Sequence, residues 1–134
     1  MKPNISFIGL GVRDIEESLK FYRDILGFST HQYKEGDDHV LFELNGSWMS
    51  IYPREKLAED ATVSAEGSGF AGFTLAHNVA SEAEVDELIS TLKSKGVTIV
   101  KEPQKVFWGG YSSYFSDPNG YLWEVAYNPF TDLT

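Results

Sequence analysis

Phe7-Ile8-Gly9-Leu10-Gly11-Val12, near the start of the chain, is matched in residue type by Phe70-Ala71-Gly72-Phe73-Thr74-Leu75. Each stretch alternates large apolar with small residues, the period of a strand, and each runs on toward a helix start. Asp14 with Glu17, and Ser81 with Glu84, have the spacing of a capping box, in which a side-chain oxygen receives an amide three residues on. Ile15, Leu19, Tyr22 and Leu26 then supply one helical stripe, and Val85, Leu88, Ile89 and Leu92 the other. Gly27 and Gly96 stand where a helix ends on a left-handed residue. Extended segments rich in β-branched and aromatic residues follow, with turns at Asn45-Gly46 and Asp117-Pro118-Asn119-Gly120 leading into last strands over 47–52 and 121–127. The pattern predicts one module written twice, β-α-β-β-β, over residues 5–53 and 69–128. The charged, Ala-rich stretch 54–68 reads as a linker that begins with a short helical turn.

Alternation assigns the faces. Ile8, Leu10 and Val12 point to the helix, with Phe7, Gly9 and Gly11 opposite; in the second copy Ala71, Phe73 and Leu75 are set against Phe70, Gly72 and Thr74. Glycines recurring on the helix-free face either leave room for a ligand or ease sheet curvature, and both readings stand at this level.

Composition bounds the rest. A chain of 134 residues without cysteine suits one domain, residues 1–134, and excludes disulfides, thiolate metal sites and cysteine catalysis. A net charge of −9 disfavours nucleic acid and anionic membranes. No run approaches the ~18 apolar residues of a membrane span, and 1–6 carries no apolar leader core, so a soluble, cytoplasmic protein is expected. Nine Phe, seven Tyr and three Trp suffice both to fill a core and to line a pocket for a flat organic molecule. Gly67-Ser68-Gly69 lacks a phosphate-loop lysine, and no serine sits in a nucleophile elbow.

The run Leu10-Gly11-Val12-Arg13-Asp14-Ile15-Glu16-Glu17-Ser18-Leu19-Lys20-Phe21-Tyr22, with Leu26-Gly27-Phe28 after it, resembles the vicinal oxygen chelate superfamily. So does the close Phe115-Ser116-Asp117-Pro118-Asn119-Gly120-Tyr121-Leu122-Trp123-Glu124. That superfamily includes glyoxalase I, bleomycin-resistance proteins and extradiol dioxygenases, and the resemblance spans nearly the whole chain. It implies an α+β fold in which two βαβββ modules form a curved mixed-sheet cup within a homodimer. It is weak for the reaction, because the same fold hosts lyases, isomerases, dioxygenases, transferases and binders. Metal-dependent members carry ligands at the start of each module's first strand and on each last strand. Those positions fall here on Phe7, Phe70, Ser50 and Glu124, of which Glu124 alone is a metal donor of the expected kind.

The expectation is therefore a small-molecule binder without a metal cofactor, taking an aromatic or amphipathic ligand in the cup. Phe7, Trp48, Ser50, Phe70, Trp108 and Tyr111 would line it. The alternative is a lyase or isomerase of the glyoxalase family in which Glu124 is the catalytic base or a ligand of a divalent metal ion. Glu124, removed from water, would act as base or acceptor; its structural alternative is a pairing with Ser50 or a tyrosine. Trp108-Gly109-Gly110-Tyr111 reads as a pocket rim or as a bulged strand beneath a core tryptophan. His31, His39 and His77 are expected on the surface or at caps, His77 at the place Asp14 holds in the first copy, with His31 or His39 able to approach the cup.

Overall fold

The computed structural model describes residues 1–134. The chain divides into two compact units, Met1–Ser68 and Gly69–Thr134. In the first unit β1 (Phe7–Val12) leads to α1 (Ile15–Leu19), which continues as a wide π-helical turn over Lys20–Ile25, and then to β2 (Ser29–His31), β3 (Val40–Glu43), β4 (Trp48–Pro53) and α2 (Arg54–Asp60). In the second, β5 (Thr74–Asn78), α3 (Glu82–Ser94), β6 (Thr98–Lys105), β7 (Tyr111–Ser116) and β8 (Leu122–Tyr127) repeat the order.

Each unit holds one four-stranded mixed sheet, ordered β1-β4-β3-β2 and β5-β8-β7-β6, in which the first strand lies parallel to the last and the other pairs are antiparallel. The fold is α+β, and each sheet is open and uncurled rather than closed into a cup. No helix is long and apolar enough to cross a membrane.

Local chemistry explains the elements. Asp14 Oδ1 accepts the Glu17 amide at 2.9 Å and Ser81 Oγ accepts that of Glu84 at 3.2 Å, so both helices begin at side-chain caps. Gly27 and Gly96 follow the helices with φ of 80° and 83°. The π turn has a packing cause: Phe21 and Tyr22 are consecutive and both buried, which the wider turn accommodates. Tyr22 stacks on Phe28 and meets Phe42, tying the helix to β3. Met49, Ile51, Val40 and Phe42 form the helix-facing side of the first sheet, and Val125, Phe115 and Trp123 that of the second, the last two rings stacked 6.1 Å apart.

The repeat is real, but its register differs from the expectation. The second module's first strand is 74–78, not 70–75. Gly69 and Gly72, with φ of 83° and 85°, turn the chain before it, so Gly72 is a turn residue and not a strand glycine. Gly9 pairs with Ser50, and Ala76 with Glu124; each precedes its helix cap by five residues. Thr74 is therefore the counterpart of Phe7. His77 lies on β5, and Ser81 is the cap that corresponds to Asp14.

Candidate functional site

On the second sheet the helix-free face is reached by counting from Glu124. Its β7 partner is Tyr114, and its parity along β8 is shared with Leu122 and Ala126; Ser112, two residues from Tyr114, joins it. Ser112 Oγ donates to Glu124 Oε2 at 2.7 Å. Tyr114 is held above the ordinary tyrosine value, first by burial, then by the negative charge of Glu124 and by its hydrogen bond to that carboxylate. The phenol thus keeps its proton and donates it. Lys101, opposite Tyr114 on β6, places Nζ 5.9 Å from the centre of the Tyr114 ring. A carboxylate, a serine, a phenol and an ammonium consequently share one sheet face, with Thr74 and Ala76 of β5 at its margin.

The first sheet's helix-free face is aromatic. Phe7 of β1 pairs with Trp48 of β4, their rings 5.8 Å apart and edge-on. Ser50 is nearly buried beside Gly9, where a Cβ would come 3.5 Å from Ser50 Oγ. Gly11 has a different reason to be glycine: a Cβ there would lie 3.1 Å from the Arg54 Cα as α2 begins. His31 of β2 approaches Trp48 with ring centres 4.8 Å apart, and its Nδ1 lies 2.7 Å from Glu43 Oε1. His39 packs against Tyr52, 4.9 Å away.

Three expected lining residues stand elsewhere. Phe70 precedes β5 and is 70% exposed, because the two positive-φ glycines around it turn the chain outside the sheet. Tyr111 has the opposite parity to Ser112 and Tyr114, and its hydroxyl donates to Asp86 Oδ1 of α3 at 2.8 Å. Its phenol is thus committed to the helix layer instead of a rim. Trp108 sits in the turn between β6 and β7 and is 36% exposed, neither in the core nor on the sheet face. The glycines beside it are steric necessities: a Cβ at Gly110 would lie 1.9 Å from the Trp108 ring, and one at Gly109 2.9 Å from Phe130. Ser112, Tyr114, Lys101 and the His31–Glu43 pair were not expected from sequence. Parity counted from Glu124 locates the first two; Lys101 follows a register shift in β6, and the last pair joins strands whose register the sequence does not fix.

A family model for the glyoxalase/bleomycin resistance protein/dioxygenase superfamily matches residues 4–125. The chain belongs to this superfamily. Like others in the superfamily it has named relatives: it is 30% identical over 131 residues to the fosfomycin resistance protein FosX of Listeria monocytogenes, covering 93% of this chain and 90% of that one. It is 28% identical over 130 residues to the metallothiol transferase FosB of Staphylococcus saprophyticus, covering 93% and 77%. Among solved structures, a glyoxalase-related enzyme from Fulvimarina pelagi matches with a TM-score of 0.85 at 29% identity, over 98% of this chain and 93% of that one.

The name metallothiol transferase states a metal, and the donor set here tests one. The superfamily's ligand positions carry Phe7, Ser50 and Glu124, and the corrected register puts Thr74 in place of Phe70. A hydrocarbon ring donates nothing, and one carboxylate with hydroxyls falls short of the three or four strong donors a divalent ion requires. Within neither unit do three His, Asp or Glu side chains converge. The residues present do not fit a metal, and no chemical step is routed through one.

Proposed function

We propose that this superfamily member binds a small aromatic or amphipathic molecule on its helix-free sheet faces, without a metal, with Glu124 as the polar anchor. The observation that carries the reading is the Glu124 carboxylate, oriented by Ser112 at 2.7 Å on a face with Tyr114 beside it. A carboxylate that already accepts two hydroxyl protons is engaged as a fixed acceptor. It recognises a ligand's N–H, O–H or positive charge, and is less suited to removing a proton from carbon. The lyase or isomerase reading needs such a removal and has no further group supporting it.

The test is a pair of ligands of one shape, an aromatic amine cation and its neutral isostere, titrated against the protein by calorimetry. Glu124→Gln is expected to weaken the cation about tenfold and the neutral probe no more than about twofold, since it removes charge but keeps shape. Equal effects on both would remove Glu124 from the binding site. Zinc, nickel and manganese are expected to leave the melting temperature unchanged, because an ion stabilises only as far as it binds the native state. Stoichiometric metal that survives dialysis and vanishes with Glu124→Ala would overturn the metal-free reading.

A further inference from the structure

Apolar residues half out of water on a sheet that already has a complete core on its other side call for a reason. Phe7 is 49% exposed and Trp48 partly so, while Met49, Ile51, Val40 and Phe42 pack against the helix without them. Beside this aromatic edge stands a polar pair that the fold does not need. His31 is 34% exposed and Glu43 is at the surface, where an ion pair adds little stability. What the pair does is fix an imidazole. With Glu43 accepting at Nδ1, the neutral ring carries its proton there and its lone pair at Nε2, and Nε2 has no hydrogen-bond partner. Trp48, edge-on to the imidazole at 4.8 Å, holds the ring's tilt from the other side. The result is an oriented acceptor at the end of an aromatic surface, next to the shallow gap that Gly9 leaves over Ser50.

We infer that Phe7, Trp48 and His31 form a second binding site, for a flat aromatic molecule bearing a phenolic O–H or ring N–H. In it His31 Nε2 accepts that hydrogen bond and Glu43 positions the imidazole. The inference rests on the small-molecule reading of the helix-free faces but not on Glu124, which lies in the other unit. No proton leaves the ligand; the interaction is a hydrogen bond from its donor to a neutral ring.

The experiment compares 2-naphthol with 2-methoxynaphthalene, which share a shape but not a donor, by nuclear magnetic resonance titration. In the unaltered protein 2-naphthol is expected to bind roughly three- to tenfold more tightly, the range of one neutral hydrogen bond. It should also move the His31 ring resonances, which the methoxy compound leaves in place. His31→Phe keeps a ring and is expected to bring the ratio to about one, with the methoxy compound's affinity within about twofold. Glu43→Gln should lower the ratio without abolishing stacking, because it loosens the imidazole. A ratio near one in the unaltered protein, a ratio that survives His31→Phe, or His31 resonances that ignore both probes would each overturn the proposal. Glu124→Gln separates the two readings: His31 shifts that persist there place the probe on the first sheet, and shifts lost there place it at Glu124 and sink this second site.

Discussion

Tyr114 owes its state to its neighbours: burial and the Glu124 carboxylate both favour the phenol over the phenolate. The folded protein therefore holds this proton more tightly than the unfolded chain does. The associated stability is whole below the ordinary value of about 10 and is lost as the pH rises through the raised folded value. Melting temperature is accordingly expected to fall more steeply above pH 10 in the unaltered protein than in Tyr114→Phe, with tyrosinate absorbance tracking the loss. Parallel curves would show that Tyr114 does not sense Glu124. Tyr111, raised by its hydrogen bond to Asp86, remains in both proteins and cancels in the comparison. At this scale the sequence was partly legible. Glu124 stood out as a carboxylate on a strand of known parity, and alternation sends Trp48 and Ser50 to the same side of β4. Tyr111 was misread because the Gly109-Gly110 pair hid where β7 begins, and one residue of offset sends a side chain to the opposite face.

Elements were legible where the signal was local. Both caps and both terminating glycines lie where the spacing places them, since a side-chain cap depends only on residues within one turn. The first strand of the second module was displaced because a Phe-x-Gly likeness is compositional, whereas strand pairing is set by the partner, β8. Counting back from Ser81 as from Asp14 finds β5 without the structure. The turn between β6 and β7 shows the same dependence on neighbours: Gly110 is buried beneath the Trp108 ring, and Val106 and Gly110 close the turn through their backbones. Gly110→Ala is expected to expel that ring, shift its emission to the red and cost roughly 1–2 kcal/mol of stability, as overpacking does. The double substitution Trp108→Ala with Gly110→Ala removes the clash. Its stability, measured by denaturant unfolding, should therefore match that of Trp108→Ala alone to within about 0.5 kcal/mol. A further loss in the double variant would mean that Gly110 is required for its backbone, not for the ring above it.

At the scale of the whole molecule, each four-stranded sheet ends in strands with one unpaired edge, β1 and β2 in the first and β5 and β6 in the second. Such edges are blunted by charge, by bulges or by pairing. On β6 the register shifts between Ile99 and Lys101 and between Lys101 and Gln104, and the strand carries Lys101, Glu102 and Lys105, so that edge is already protected. β1 is a six-residue strand, Phe-Ile-Gly-Leu-Gly-Val, with no charged side chain and no break in its register with β4. An uncharged, unbroken edge flanked by the exposed Ile5 and Phe7 is the kind that a closed two-fold assembly covers. A homodimer is the expected state: light scattering at micromolar concentration should return about twice the 15.0 kDa chain mass. The melting temperature should rise with protein concentration, as it must when association stabilises the native form. Ile8→Lys adds a charge to the same edge without touching Trp48, Glu124 or either helix cap, and should halve the mass. A particle of single-chain mass throughout, with a melting temperature indifferent to dilution, would mean that the β1 edge is tolerated bare.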